Sequence, residues 1–311
     1  MKKYRLLLYG TTKIAYHIAK VLEKNNFKCT VLSVGLFGGT SLGALKSYIH
    51  VIKEIFRHDA IHFLFSPTPF FGRSLFVFLA KFLRKKVIVM WIGGDEKLLD
   101  RKYRYLIAKI ANKFVDKHFA VAPWLSNKLK KYGIQSEVLY AIPNIKIPRE
   151  IPELPNKDIF LIYLAKERFD NFNGDLIFKA IRKLPETEFF IVANDGKGFP
   201  KFKNVKYLGY IPYEKMPEIY RRVKGYIRIT KRDGFPSMVA ESLLYGRYVI
   251  FNRKIPHTIF ANDLRSLIMA IKKIKQLKEP NKKGREWILS LITHTEEKIA
   301  TFYKDLFKGQ N

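Results

Sequence analysis

Residues 228–250 read Arg228-Ile229-Thr230-Lys231-Arg232-Asp233-Gly234-Phe235-Pro236-Ser237-Met238-Val239-Ala240-Glu241-Ser242-Leu243-Leu244-Tyr245-Gly246-Arg247-Tyr248-Val249-Ile250. The pattern is strand, tight turn, helix, glycine stop, strand. Gly234 permits close backbone approach or positive φ. Pro236 suits the first helical turn, and Gly246 the position just past the helix end. Uncapped amides and the positive end of the helix dipole then face the loop, which is a site for a diphosphate. Glu241 lies one turn past Ser237 on the same face, within reach of ribose hydroxyls beside such a phosphate. Asp233, just before the turn, is placed to accept hydrogen bonds from sugar hydroxyls. A well-capped helix with an acid near its start accounts for the same residues, and two carboxylates eight positions apart often arise by chance.

The same alternation extends along the chain. In the first half, strands are expected at Leu6–Tyr9, Thr30–Val34, Ile61–Phe65, Val87–Ile92, His118–Ala122 and Val138–Tyr140. Helices fall between them at 13–24, around Ile49, Ile52 and Phe56, at 72–84, and along the stripe Tyr103, Leu106, Ile107, Ile110 and Phe114. In the second half, strands are expected at 159–164, 188–193, 205–208, 225–229 and 248–251. Helices are expected at 174–183, 214–222, 236–245, 262–276 and 285–306. Such alternation predicts parallel sheets covered on both faces. Pro143, Pro148, Pro152 and Pro155 interrupt it, because proline fixes φ and lacks the N–H a central element needs. They place a linker at about 146–157. The expected architecture is α/β: two Rossmann-like, doubly wound domains, 1–150 and 151–311, facing a central cleft, with the last helix returning to the first domain. Ligands of open α/β sheets sit outside the carboxyl ends of the strands, so the loops that follow strands carry the function.

Composition narrows the classes. The 311 residues are 48% hydrophobic, enough for large cores and too many for a disordered or disulfide-stapled chain. The single cysteine, Cys29, allows no internal disulfide. No apolar run reaches the ~18 residues of a spanning helix. The first ten residues are too short in apolar character for a signal peptide. A protein inside the cell is expected, soluble or peripheral on the cytoplasmic membrane face. Fifty-eight Lys and Arg against 27 Asp and Glu give a net charge of +31. Residues 1–150 hold +18 of it. Charge of this size speaks of partners: nucleic acid, an anionic membrane, or a phosphorylated substrate. A lysine-rich proteome explains it without any partner. Gly10-Thr11-Thr12 lacks the G-x-G-x-x-G of a dinucleotide fingerprint. The sequence has no Asp-x-Asp and no metal-ligand spacing.

The stretch from Asp233 to Ile250 resembles the nucleotide-sugar site of GT-B glycosyltransferases, especially retaining family 4 (the group 1 glycosyl transferases). That family has a first Glu, then Gly-Phe, a second Glu eight positions after the first, a Gly, and a Pro-Val-Ile-like strand. Asp233, Gly234, Phe235, Glu241, Gly246, Val249 and Ile250 fill those places, with Asp233 one methylene shorter than the family's Glu. Ile159–Leu164 with Lys166 and Arg168 resembles the strand and basic loop that clamp the donor diphosphate. The family's Lys-Gly pair is here Asn173-Gly174. Val205–Ile211 resembles a strand ending in Gly beside the base. Val89–Asp95 resembles a strand ending in His-Gly-x-Asp, although no His precedes Gly93-Gly94 here. Val138–Asn144 resembles the Pro-Asn strand before the linker.

The resemblance implies an N-terminal acceptor domain and a C-terminal donor domain, with metal-independent transfer of a hexosyl-type sugar and retention of configuration. No cofactor is implied, the nucleotide-diphosphate sugar being the donor substrate. Lys166 and Arg168 would stabilise diphosphate as charge grows on it. Backbone groups of Phe235, Ser237 and Met238 would cradle it, within a donor segment that includes Thr230, Gly234 and Pro236. Asp233 would contact the sugar and Glu241 the ribose. Gly209, Tyr210 and Ile211 would lie near the base, and Asp95 in the cleft. The charge favours a carbohydrate or lipid-linked acceptor at an anionic membrane surface. Two other readings stay open. One is a basic nucleic-acid-binding protein, although no reading element such as a helix-turn-helix is seen. The other is a catalytically degenerate member that binds nucleotide sugar without turnover.

Overall fold

The computed structural model describes residues 4–10, 12–33, 41–65, 73–93, 99, 109–141 and 147–308. The chain divides into two compact units, one of residues 1–144 with 292–311 and one of residues 145–291.

In the first unit, β1 (Arg5–Gly10), β2 (Lys28–Ser33), β3 (Ala60–Leu64), β4 (Lys86–Trp91), β5 (Lys117–Ala120) and β6 (Glu137–Val138) form a sheet in the order β2-β1-β3-β4-β5-β6. Every pairing is parallel. β1, β3 and β4 are apolar and buried almost throughout, the condition for a parallel sheet covered on both faces. Helices α1 (Thr12–Lys24), α2 (Ser41–Arg57), α3 (Arg73–Phe82) and α4 (Pro123–Lys130) lie between them. The crossovers β2→β3, β3→β4 and β4→β5 all advance in one direction across the sheet. Right-handed connection therefore puts α2, α3 and the helical turn 109–112 on one face, with α1 on the other.

One expectation reverses on α2. The stripe Ile49, Ile52 and Phe56 reads as its apolar face, yet Val51 and Ile55 pack inward at 4% and 0% exposure. Ile49 and Phe56 point outward, at 45% and 56%. The helix has two apolar stripes, and periodicity alone does not say which one the sheet covers. The stripe at Tyr103, Leu106 and Ile107 lies outside the described residues, but its members Ile110 and Phe114 are also exposed.

In the second unit, β7 (Ile159–Tyr163), β8 (Glu188–Val192), β9 (Val205–Gly209), β10 (Gly225–Arg228), β11 (Tyr248–Phe251) and β12 (Ile259–Phe260) form a second parallel sheet, in the order β12-β11-β10-β7-β8-β9. Numbered within the unit, this is the order of a doubly wound Rossmann sheet, reversing between β7 and β10. Phe160, Ile162, Phe189, Ile191, Ile227 and Ile250 from the strands meet Ile177, Phe178 and Ile181 of α5 (Gly174–Lys183). Helices α6 (Met216–Arg222), α7 (Ser237–Leu244) and α8 (Leu264–Lys275) follow, and α9 (Lys282–Leu306) ends the series. The later residues of α9 belong to the first unit, where Tyr303 Oη lies 2.8 Å from His62 Nδ1 and Phe302 meets Phe119 edge-on.

Residues 147–158 contain no helix or strand. They are pinned to the second unit by Arg247, a fully buried guanidinium that donates to the carbonyls of Tyr245, Val223, Pro152 and Glu153. Burial brings its pKa down to about 10, and the four carbonyls accept hydrogen bonds from the buried charge.

Candidate functional site

The reversal between β7 and β10 is where a doubly wound sheet opens a crevice at its carboxyl edge. The two loops that leave this point are joined to each other. After β7 the chain makes two short 3-10 turns, Lys166–Arg168 and Asp170–Phe172, then a left-handed residue, Asn173, at φ 49°. A Cβ at the following Gly174 would fall 2.0 Å from the Phe169 ring, so the turn closes only with glycine there. After β10 the chain runs from Ile229 to Pro236. The Lys231 N–H donates to Asn171 O at 2.8 Å, Asn171 Nδ2 donates to Arg232 O at 3.3 Å, and Lys231 pairs with Asp170.

Beneath this junction sits Arg228, the last residue of β10. Its Nε and Nη2 donate to Asp233 Oδ2 at 2.8 and 2.5 Å. Its guanidinium carbon is 4.7 Å from the centre of the Phe172 ring, and that of Arg168 is 5.4 Å from it. Burial works against the charge of Arg228, but Tyr226 and Asp233 outweigh it and hold its pKa above the ordinary value. Asp233, read in the sequence as a sugar contact, is thus oriented by Arg228, the last residue of the strand that precedes its loop. Arg168 and Lys166 are exposed. Lys166 Nζ donates to Lys197 O at 2.9 Å, which ties the β7 loop to the one after β8.

The helix after this loop begins one residue later than expected. Pro236 is the residue before α7, at φ −72° and ψ 131°, and no side chain caps the helix. The first turn has no acid, and Ser237 and Met238 are partly exposed. Gly234 and Pro236 are buried, and Phe235 packs edge-on to Trp287. Thr230 is 1% exposed, with its Oγ1 buried and lacking a hydrogen-bond partner. Its backbone exchanges two hydrogen bonds with the Asn252 side chain, at 3.2 and 2.7 Å. Thr230 therefore fixes the loop through its main chain.

Glu241 is also 1% exposed and accepts a hydrogen bond from the Tyr220 hydroxyl. Burial, and then Glu241, push the phenols of Tyr220 and Tyr213 upward, so both stay protonated beside the carboxylate. Gly209 ends β9 at φ +64°, with open space where a Cβ would stand, and Tyr210 beyond it is 83% exposed. Ile211 is partly buried. The Gly209 N–H donates to Asn194 O at 3.0 Å, joining this corner to the β8 loop.

Lys166, Arg168, Asp233 and the start of α7 thus belong to two directly linked loops. Gly209–Ile211 are joined to these through the β8 loop, and Glu241 faces the tyrosines that follow β9. Asp95 lies outside the described residues. Sequence reading gave no role to Arg228, Asn171 or Asn252, and pointed to the β8 loop only as one of the loops that follow strands, at 194–199. Arg228 had a visible signal, a cation ending an otherwise apolar strand. The two asparagines had none, because their bonds are made across the sheet.

No protein-family model matches the sequence, and comparison with curated proteins finds no relative. Solved structures are similar over nearly the whole chain. Anabaena Alr3699/HepE in complex with UDP and glucose superposes with a TM-score of 0.70 at 13% identity, over 97% of this chain and 100% of that one. Sucrose-phosphate synthase (tll1590) from Thermosynechococcus elongatus gives 0.74 at 12% identity, over 98% and 99%. The lipopolysaccharide outer core galactosyltransferase WaaB, in apo form, gives 0.66 at 12% identity, over 96% and 99%. With its two parallel six-stranded sheets, the chain has the GT-B fold of these glycosyltransferases.

Proposed function

We propose that the protein is a glycosyltransferase that takes its sugar from a nucleoside-diphosphate donor held by the second unit. One observation carries the reading: an uncapped helix start and the cations Lys166 and Arg168 occupy linked loops at the reversal of a doubly wound sheet. Amides at a helix N-terminus favour an anion. When the glycosidic bond breaks, negative charge grows on the diphosphate. Donors already in place stabilise that charge without reorganising. Lys166, Arg168 and the amides of Phe235, Ser237 and Met238 take this role. Asp233, oriented by Arg228, contacts the sugar, and Glu241 the ribose. Gly209, Tyr210 and Ile211 lie toward the base. Similar structures support this donor class, one being a complex with UDP and glucose and another a galactosyltransferase.

The finer reading follows the family 4 resemblance: a hexosyl sugar transferred with retention and without a metal, the N-terminal unit binding the acceptor. The charge of +31 favours a lipid-linked or membrane-associated glycan as acceptor, with the protein peripheral on the cytoplasmic face. Binding without turnover is the second reading. It is favoured by the Arg228 partner on Asp233 and by the absence of a His before Gly93-Gly94. Thermal-shift screening against UDP-, GDP-, ADP- and dTDP-sugars identifies the donor. Release of the nucleoside diphosphate then separates the readings. Stabilisation with release supports the enzyme, stabilisation without release supports the degenerate binder, and no stabilisation by any donor contradicts both.

A further inference from the structure

Twelve large hydrophobic side chains are exposed among the described residues, and seven of them fall in three short segments of the first unit, 41–57, 73–86 and 109–116. On α2, Leu45, Ile49 and Phe56 stand at i, i+4 and i+11, opposite the buried Val51 and Ile55. On α3, Leu75 and Phe82 stand at i and i+7, exposed at 59% and 85%, opposite Phe76, Val77 and Ala80. Ile110 and Phe114 complete the set at 46% and 41%. The three segments form one layer. Tyr48 of α2 and Phe76 of α3 have ring centres 5.4 Å apart, Phe78 and Phe114 are 5.2 Å apart, and Lys85 Nζ reaches Phe56 O at 3.2 Å. A soluble monomer seldom gathers exposed apolar groups in this way without a partner.

Charge decides the partner. The same segments hold ten Lys and Arg against two acids, Glu54 and Asp116. Both acids are engaged, Glu54 with Arg57 and Asp116 with Lys81 and the Val87 N–H. We propose that the outer face of α2, α3 and residues 109–114 docks on an anionic lipid surface, with Leu45, Ile49, Phe56, Leu75 and Phe82 entering the headgroup–acyl boundary. Apolar side chains flanked by cations match that boundary. A second copy of a chain with net charge +31 repels it. Nucleic acid offers the leucines and phenylalanines no apolar phase. This deepens the membrane-acceptor reading by naming its surface, and it stands on different residues from the donor site.

The test is flotation of the full chain with phosphatidylglycerol–phosphatidylcholine vesicles and with phosphatidylcholine vesicles alone. The wild type floats with the anionic vesicles, and added salt weakens the binding as the Debye length falls from about 10 Å at 0.1 M toward about 3 Å at 1 M. Leu75→Ser/Phe82→Ser lowers vesicle binding by about tenfold or more, at an unchanged melting temperature and sedimentation coefficient. Met269→Ser, an equally exposed apolar site in the second unit, floats like the wild type. No flotation, or equal flotation of Leu75→Ser/Phe82→Ser and wild type, overturns the proposal. So does a self-associated wild type that those substitutions render monomeric, because the face is then an interface between copies. Preparations that bind nucleotide sugar but not vesicles overturn docking alone and leave the donor reading intact.

Discussion

Arg168 and Lys166 reach the junction from a turn of three residues, so their contribution separates cleanly from the fold. Both are exposed, and neither fills a core position. A charge-assisted hydrogen bond to a phosphate oxygen contributes about 1.5–3 kcal/mol. Arg168→Ala should therefore weaken nucleoside-diphosphate affinity about ten- to hundredfold with little change in melting temperature. Titration calorimetry of nucleotide binding, beside a thermal melt, checks both halves. Tyr220 makes a different case. Its hydroxyl donates to Glu241 in a fully buried corner, and Tyr220→Phe removes the donor while keeping the ring. A hydrogen bond contributes on the order of 1 kcal/mol, so this variant should lose stability in urea denaturation.

At the scale of the element, the β7 loop depends on one glycine. Gly174→Ala would drive a methyl into the Phe169 ring, an overpacking that costs about 1–3 kcal/mol. It should also displace Lys166 and Arg168, so that nucleotide affinity and stability fall together, unlike in Arg168→Ala. Measuring the two quantities side by side distinguishes the variants. The strands of both sheets were legible because β1, β3, β4, β7, β8 and β10 are apolar runs bounded by turns. β12 was not, because two residues, Ile259 and Phe260, carry no period. Helix α4 buries only Leu125 and Leu129 and offers no stripe to read. On α2 the sequence showed an apolar face but not its direction, since burial depends on which side the sheet lies. At the site, Gly246 was readable as the glycine just past the helix end, where it stands at φ +69°, whereas Pro236 precedes the helix instead of opening it. The Asn171 bridge was not readable, because it depends on β7 and β10 being neighbours, and the tie from Arg228 to Asp233 depends on how the loop after β10 turns back.

The whole molecule has an acid liability in its first unit. His62 on β3 and His118 on β5 are held neutral by burial, with pKa values lowered to about 3 and about 4. The unfolded chain protonates these rings near pH 6.5, while the folded one does not. Folding stability from this source is therefore complete above about pH 6.5 and is lost as pH falls toward 4 and 3, by up to ~1.4 kcal/mol per pH unit for each ring. Denaturant midpoints should drop between about pH 7 and pH 5, and His62→Gln should flatten that drop. A slope that His62→Gln leaves untouched would place the liability elsewhere. The GT-B fold brings two such units together in one chain, and the donor reading asks only the second to recognise nucleotide. Its most direct test is calorimetric titration of wild type, Arg168→Ala and Lys166→Ala with the nucleotide sugar that stabilises the protein best. The account predicts saturable wild-type binding that either substitution weakens about tenfold or more. Equal affinity in all three proteins would contradict it.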